Sequence, residues 1–305
     1  MKSNIIHIGA NKTASTTLQR ALFNQHSELT YMGEDAYEYG DYRDICNSMV
    51  NDDDLFYSED TCKEFFLKYS ELESNKNFVY SNEDLLTSRI PAIAAQRLKS
   101  LIPDAKIVIV LRNQYTAIPS FYASHGSFLK PAPPSYFHRH VSFDDWMDYN
   151  VMFPKYGGVA GYYYNRILNV YSNLYGRDNI HILLFEDFIN DKKRFIKKLS
   201  NILSINYSES MRLLNGAHER PRVTSRYYNY NKFRTNFMWS KHLTKNIPFG
   251  RSISSRFENY LKRGHPVKIE LNSSQRKKIF DLYCDDNKAL VEKYGVPLQE
   301  YGYPI

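Results

Sequence analysis

The chain has 305 residues, of which 43% are hydrophobic, enough for one large or two small α/β domains. Its 40 lysines and arginines against 33 aspartates and glutamates give a formal charge of +7, which favours anionic ligands or an anionic membrane surface. The basic residues are spread along the chain, which argues against nucleic acid, and no apolar run reaches the roughly 18 residues of a membrane span.

The cysteines and the N-terminus bear on the compartment. Cys46, Cys62 and Cys284 lie far apart and lack the spacing of a metal site or a disulfide framework, so we expect reduced thiols. A strand predicted within five residues of the start leaves no room for a signal peptide. Together these features predict a cytoplasmic protein.

The first predicted elements are a strand over residues 5–8, a compact loop, and a helix over residues 15–26. Backbone N–H groups converge at such a loop, and the helix dipole there favours negative charge. Lys12 adds a mobile positive charge, and hydroxyl groups add further donors. The loop is therefore predicted to bind a phosphate or phosphosulfate group through these residues: Gly9, Ala10, Asn11, Lys12, Thr13, Ala14, Ser15, Thr16 and Thr17.

Two other interpretations of this loop stay open. A strand, turn and capped helix without a ligand would have a similar pattern. An ATP- or GTP-binding P-loop would need a second glycine just before the lysine, whereas Lys12 follows Gly9 at a spacing of three with no other glycine between them. A P-loop kinase is therefore disfavoured.

The remaining elements follow in chain order. Residues 28–75 are predicted to form loops and one or two helices. Further strands are predicted over 78–81, 106–111 and 179–185, and further helices over 61–72, 90–101, 162–174, 188–203 and 273–294, with another beginning after Ser142. Residues 125–141 and 216–266 are irregular. Strands alternating with helices predict a three-layer α/β fold, a central parallel sheet flanked by helices, in a single domain over residues 1–305.

A second informative stretch, R-N-Q-Y-T-A-I-P-S-F-Y, begins at Arg112, where the predicted strand 106–111 ends. Ligands of open parallel sheets bind beyond the carboxyl ends of the strands, and Gly9, Asn82 and Arg112 all occupy such ends. Taken alone, Arg112 could equally form a surface ion pair, and Ser120 could be an ordinary helix residue.

Taken together, the two stretches resemble the superfamily of sulfotransferases that use 3′-phosphoadenosine 5′-phosphosulfate (PAPS). The family's K-[ST]-G-T-T loop corresponds here to residues 12–16, and its R-N-P-x5-S-x-Y element to residues 112–122. Ala14 replaces the usual glycine, which would strain a backbone that needs a positive φ. Gln114 replaces the usual proline, a change that we expect to matter less. The resemblance implies a P-loop-like sulfotransferase fold.

A third element near the C-terminus has a weaker resemblance. Residues 262–266, K-R-G-H-P, are similar to the basic loop that closes over the 3′-phosphate in heparan sulfate-type members. The resemblance adds Lys262, Arg263 and Gly264 to the predicted donor-binding residues. A solvated basic turn is the alternative.

The implied reaction is the transfer of a sulfuryl group from PAPS to a hydroxyl or amine, without a metal. In this resemblance Lys12 stabilises charge on the departing phosphate, while Arg112 and Ser120 hold the 3′-phosphate. The product is adenosine 3′,5′-bisphosphate (PAP).

A general base for the acceptor is sought among carboxylates. Glu83 follows the strand 78–81, at the same sheet edge as Lys12 and Arg112, and similar bacterial chains carry S-x-E there. Glu34 lies 22 residues after Lys12, where heparan-type and tyrosyl-protein members supply a glutamate. We favour Glu83, although either could be a surface carboxylate or a helix cap.

Other titratable residues receive lesser predictions. Asp84 and Glu186 are possible supporting residues, and His7 is expected in the core. Three histidines lie in the irregular stretch predicted on the acceptor side: His125, His138 and His140.

Heparan-like details and aromatic loops favour a carbohydrate or glycolipid acceptor in a bacterial enzyme. A protein that binds an adenosine nucleotide or a glycan without catalysis is the main alternative. The sequence leaves the acceptor and the oligomeric state open.

Overall fold

The computed structural model describes residues 3–33, 42–71, 75–88, 90–126, 140–153, 158–217, 223–236, 257 and 259–305. Its centre is a five-stranded sheet in the order β2-β3-β1-β4-β5, and every pairing is parallel. The strands are β1 Asn4–Ile8, β2 Leu29–Gly33, β3 Asn77–Asn82, β4 Lys106–Leu111 and β5 Ile180–Leu184. The predicted α/β class with a central parallel sheet is confirmed.

Helices follow the strands in the alternating order that a parallel sheet requires. The helices are α1 Ser15–Thr17, α2 Tyr42–Met49, α3 Glu59–Glu71, α4 Asp84–Thr87, α5 Pro91–Leu101, α6 Gln114–Phe121, α7 Phe143–Met152, α8 Tyr164–Tyr175, α9 Phe185–Asn190, α10 Lys192–Leu203, α11 Tyr207–Asn215, α12 Ser225–Asn236 and α13 Ser273–Tyr294. π-helical segments extend α1 over Leu18–Phe23 and α6 over Tyr122–Gly126. Short 3₁₀ helices occupy Asp54–Phe56, Gly158–Tyr162, Arg177–Asn179 and Leu298–Tyr301.

The sheet is buried on both faces because side chains alternate along each strand. Ile6 and Ile8 of β1 join one apolar cluster, whereas Ile5 joins the other. In β4, Ile107 and Val108 divide in the same way. Helices therefore cover both faces, which explains the uninterrupted apolar run of β4.

Three elements differ from the sequence prediction. α12 lies in the stretch 216–266, which the sequence predicts to be irregular. Residues 28–75 were predicted to hold only loops and helices, yet they include β2, a five-residue edge strand that pairs with β3 in the register Leu29↔Asn77. Only Thr30 and Tyr31 favour a strand in this short sequence, so pairing and burial are needed to form it. The predicted helix 188–203 is divided into α9 and α10, because Asp191 caps α10 by accepting a hydrogen bond from the Arg194 N–H.

The strand register opens a crevice at the carboxyl edge of the sheet. β1 pairs with β3 as far as Ile8↔Asn82, but its ladder with β4 ends at His7↔Val108. β4 continues beside β5 as far as Leu111↔Leu184. The connections after β1 and β4 therefore leave on either side of a gap, at the point where the strand order reverses. Ligands of open α/β sheets bind at such a point.

His7 lies in the core beneath this edge, as predicted. Its Nδ1 lies 2.7 Å from the Ser81 hydroxyl, which accepts a hydrogen bond from Gln19 Nε2 at 3.0 Å. Complete burial lowers the pKa of His7 to about 4.

This burial predicts an acid-sensitive fold. As the pH falls below 6.5, the unfolded chain binds a proton at His7, whereas the folded chain does not bind it until about pH 4. The stability that is present above pH 6.5 is therefore lost between pH 6.5 and pH 4. Denaturant titrations should show that the free energy of unfolding falls between pH 7.5 and pH 5, with about 2 kcal/mol of the loss due to His7. A His7→Gln variant, which does not titrate there, should lose that much less; an equal loss would contradict the prediction.

Among the described residues, no helix is both long and apolar enough to cross a bilayer. Glu34, His138 and most of the predicted loop 125–141 lie outside the described residues.

Candidate functional site

The loop after β1 has the backbone of an anion-binding turn. Lys12 and Ala14 adopt positive φ angles of 67° and 65°, which turn successive peptide groups in opposite directions before α1 begins at Ser15. The Thr13 hydroxyl donates to the Ala10 carbonyl at 2.7 Å, and the Ser15 hydroxyl donates to the same oxygen at 3.3 Å. These two buried hydroxyls therefore hold the loop, and Thr16 and Thr17 are the more exposed ones.

Ala14 has the left-handed backbone conformation that we expected, because alanine stands here where the similar loop motif has glycine. A Cβ in this region costs about 1–2 kcal/mol, whereas glycine adds about 0.4–1 kcal/mol of unfolded-state entropy. An Ala14→Gly variant should therefore be more stable by about 0.5–1 kcal/mol in equilibrium denaturation. Ala10→Gly is the control, because Ala10 is buried and has no positive φ, and this change should destabilise the fold. A destabilised Ala14→Gly variant would contradict the strain argument.

Gly9 brings the loop after β1, residues 9–14, against Glu83. A Cβ on Gly9 would lie 2.8 Å from Ser15 Oγ and 2.9 Å from Glu83 Cγ, so a larger residue would displace both. Glu83 directly follows β3 and precedes α4, and it is partly buried. The structure thus brings this candidate base to the loop that carries Lys12.

Arg112 crosses the crevice from the other side. Its Nη1 donates to the Lys12 carbonyl at 2.7 Å, and its Nε donates to the Thr116 hydroxyl at 3.1 Å. The guanidinium lies 4.4 Å from the centre of the Phe185 ring, a cation–π contact that leaves its edge for hydrogen bonds. Two residues that are 100 positions apart in the chain therefore meet at one site.

The turn after Arg112 is held by residues that the sequence did not single out or only mentioned. The Asn113 N–H donates to Glu186 Oε1 at 2.9 Å, and the Tyr303 hydroxyl donates to Glu186 Oε2 at 2.9 Å. The Asn113 amide donates to the Tyr301 carbonyl at 2.8 Å. Glu186 is thus a support of the Arg112 turn, and no local sequence signal indicates the two tyrosines.

Gln114, which stands where the similar motif has proline, contributes more to the structure than we expected from the sequence. Its side chain is fully buried, and its Nε2 donates to Asn287 Oδ1 at 3.0 Å and to the Tyr162 carbonyl at 3.2 Å. The Asn287 amide donates back to Gln114 Oε1 at 3.2 Å. A proline side chain could form none of these hydrogen bonds, which connect α6 to α13.

Tyr162 is a further residue that the sequence did not indicate. Its hydroxyl donates to the Asn11 carbonyl at 3.3 Å, a long hydrogen bond. Burial raises the pKa of this hydroxyl; the Arg112 charge lowers that pKa, and the Glu83 charge raises it. Asn11, Glu83 and Arg112 therefore surround one buried tyrosine.

The remaining predicted site residues lie on other elements of the fold. Ser120 is partly buried on α6, and its carbonyl accepts a hydrogen bond from the Ser124 hydroxyl at 3.1 Å. Lys262, Arg263 and Gly264 are exposed. Their turn is fastened to the start of α12, because the Ser225 N–H donates to the His265 carbonyl at 3.0 Å.

One of the three predicted histidines is described with its side chain. His140 Nε2 lies 3.0 Å from the Tyr228 hydroxyl, and burial together with the charge of Lys232 lowers the pKa of His140. Within the described part of the chain, no group of three or more His, Cys, Asp or Glu residues is arranged to hold a metal ion.

The site presents positive charge on both sides of the crevice. The loop of residues 9–14 supplies peptide N–H groups, a lysine and a helix start, and a Cβ on Gly9 would fill the cradle. Arg112 supplies a second positive charge across the crevice. Residues 2–290 match the sulfotransferase domain family. The chain belongs to this family.

Three solved structures are similar to this sulfotransferase, and the first of them, whose TM-score is above 0.5, supports its fold. A sulfotransferase from Alicyclobacillus acidocaldarius is 15% identical, with 99% of each chain covered and a TM-score of 0.57. The sulfotransferase domain of the Synechococcus PCC 7002 olefin synthase is 14% identical over 72% of this chain and 80% of that one, with a TM-score of 0.43. Mouse sulfotransferase SULT7A1 complexed with PAP is 11% identical over 96% and 85%, with a TM-score of 0.44.

No curated protein matches the sequence. The family match confirms the predicted PAPS-dependent sulfotransferase superfamily and the prediction of an enzyme. The P-loop kinase and the non-catalytic binding protein are accordingly set aside for this sulfotransferase.

Proposed function

We propose that this sulfotransferase takes its sulfuryl group from PAPS and transfers it to a hydroxyl, or an amine, of a carbohydrate or glycolipid acceptor. The observation that carries the donor assignment is the meeting of Arg112 with the Lys12 carbonyl across the β1–β4 crevice. This contact brings two cationic residues together at the crevice, which supports a ligand with more than one anionic group.

The phosphate loop is proposed to hold the 5′ end of the donor. Peptide N–H groups of residues 9–14 and the start of α1 face developing negative charge, as helix N-termini do. Lys12 supplies a point charge that strengthens as the leaving phosphate gains charge. Thr16 and Thr17 supply half-buried hydroxyls, and the buried hydroxyls of Thr13 and Ser15 keep the loop in shape.

Arg112 and Ser120 are proposed to hold the 3′-phosphate. A planar guanidinium suits bidentate hydrogen bonds to a phosphate, and the Phe185 ring keeps the Arg112 plane in place. Lys262, Arg263 and Gly264 are proposed to add positive charge from the turn fastened to α12. Recognition of the 3′-phosphate would distinguish this donor from ATP.

Glu83 is proposed as the general base that removes the acceptor proton. Its Cγ would contact a Cβ on Gly9, so the carboxylate stands beside the loop that positions the reacting group. PAPS supplies an electrophilic sulfuryl group whose leaving group is a phosphate, so positioning and charge stabilisation are the main tasks left to the protein. Glu34 remains the rival base, at the residue after β2.

The acceptor class and the domain organisation are also proposals. Heparan-like residues 262–266 and the His140–Tyr228 pair beside α12 support a carbohydrate or glycolipid acceptor. The single domain 1–305 is supported by one apolar cluster that includes both Ile6 and Tyr303. Transfer of radiolabelled sulfate from PAPS to glycan and glycolipid extracts tests the acceptor proposal.

The donor proposal predicts a selective thermal shift. PAP should raise the melting temperature because a ligand that binds only the folded state stabilises it by mass action. AMP should raise it much less, since it lacks the 3′-phosphate proposed for Arg112 and Ser120. Differential scanning fluorimetry at matched nucleotide concentrations measures both shifts. Equal shifts for PAP and AMP would refute the 3′-phosphate assignment, and no shift for either would refute donor binding.

A further inference from the structure

Two tyrosines of one short segment reach the two sides of the donor site. Tyr162 ends the 3₁₀ helix Gly158–Tyr162, and Tyr164 begins α8. Their rings pack edge to face with centroids 6.1 Å apart, and both side chains are almost completely buried. Neither tyrosine belongs to the sequence motifs of the site.

The Tyr164 hydroxyl bonds to both backbone groups of Arg112. It donates to the Arg112 carbonyl at 2.7 Å and accepts from the Arg112 N–H at 3.2 Å. Arg112 stands one residue beyond the last β4–β5 pair, and β1 has already left β4 at Val108. The phenol therefore takes the place of a strand neighbour and satisfies two buried peptide groups at once.

Tyr162 acts on the opposite side of the crevice. Its hydroxyl donates to the Asn11 carbonyl at 3.3 Å, and its own carbonyl is held by Gln114 Nε2 at 3.2 Å. This hydrogen bond is longer than that of Tyr164, so its removal should have the smaller effect. Burial raises the pKa of both hydroxyls, so each keeps its proton and remains a donor at neutral pH.

We propose that these two tyrosines are positioning residues for donor specificity. Tyr164 fixes the backbone of Arg112 and thereby sets the preference for a 3′-phosphate, while Tyr162 fixes the phosphate loop at Asn11. This inference rests on the proposed function, because it assigns Arg112 and the loop to the two ends of the donor. Both residues act through groups that they hold, without contact to the reacting atoms.

Isothermal titration with PAP, AMP and adenosine 3′-monophosphate tests the proposal. Tyr164→Phe removes two hydrogen bonds and leaves two part-buried backbone groups of Arg112 unpaired. It should weaken PAP binding by about tenfold and should change AMP binding less than threefold. Tyr162→Phe should weaken PAP and AMP by about threefold and leave adenosine 3′-monophosphate unchanged. A general loss of packing would lower all three affinities together.

Tyr171→Phe is the matched control. Tyr171 lies on α8, is equally buried, and has a hydroxyl without a hydrogen-bond partner in the described part of the chain. This change should leave the three affinities within twofold of wild type. A mutant cycle adds a second measurement: in an Arg112→Ala background, Tyr164→Phe should cause no further loss of PAP affinity, because the guanidinium that Tyr164 is proposed to position is already absent.

The outcomes separate this inference from the proposed function. If wild-type protein binds PAP no better than AMP, the proposed function fails before any tyrosine is changed. If wild type prefers PAP but Tyr164→Phe leaves the ratio of PAP to AMP affinity intact, the inference is overturned. It is also overturned if Tyr164→Phe lowers this ratio as much in the Arg112→Ala background as in the wild-type protein. Should Tyr164→Phe not fold, Tyr162→Phe decides: unchanged PAP and AMP affinities overturn the inference, and the selective loss supports it.

Discussion

Replacing Lys12 by methionine should lower turnover by roughly 10²–10³-fold while weakening PAP binding less than tenfold. Methionine keeps the aliphatic stem and removes the ammonium group. Lys12 has a φ of 67°, and methionine, like lysine, has a Cβ, so the loop backbone keeps the same strain. Because the ammonium acts on charge that grows as the phosphate departs, its loss affects kcat more than the affinity for the ground state.

Single-turnover kinetics and PAP titration on the same variant separate the two effects. Lys106→Met is the control, because Lys106 begins β4 at the opposite edge of the sheet and donates to the Ile202 carbonyl. Turnover of this control should stay within twofold of wild type. If Lys12→Met abolished PAP binding and left the turnover of bound donor intact, Lys12 would be a binding residue and the proposed role would be wrong.

Replacing Glu83 by glutamine should lower turnover by roughly 10²–10⁴-fold, the usual range for loss of a general base. Glutamine keeps the size of the side chain and its contact with the Gly9 turn, so PAP affinity should change little. The loss should be in kcat, measured with any acceptor found in the extract screen. Slow hydrolysis of the donor serves as a second assay because water then replaces the acceptor.

Glu292→Gln is the matched control for Glu83→Gln. Glu292 is exposed near the end of α13 and undergoes the same chemical change. Its turnover should remain within twofold of wild type. Glu34→Gln should alter the acceptor KM or have no effect. If Glu34→Gln instead gave the large loss and Glu83→Gln behaved as wild type, Glu34 would be the base.

The sequence predicted the elements whose patterns are local. The helix 273–294 is found as α13 Ser273–Tyr294, because Asn272 and Gln275 form a reciprocal capping box and Gly295 ends the helix with a φ of 66°. The strand 106–111 is found as β4 because an apolar run of that length suits a strand buried on both faces. The strain at Ala14 also followed from a motif read over five residues.

The sequence also determined which residues could form a donor site. Lys12 and Arg112 each follow a β-branched strand, and parallel strands place their carboxyl ends at one edge. The strand order and the family match agree with that expectation. The roles of individual residues remain predictions until the variants above are measured.

Only the tertiary structure decided how the site is held. β2 exists because Leu29–Gly33 pairs with β3, and its two strand-favouring residues, Thr30 and Tyr31, are too few to indicate it. Tyr164 meets Arg112 across 52 positions, and Gln114 meets Asn287 across 173. The first contact reaches backbone groups that have no strand neighbour, because the β1–β4 ladder ends early. The second joins two helices that pack over the sheet. Such partners depend on register and packing, which arise from contacts between distant segments and leave no periodic signal in the sequence.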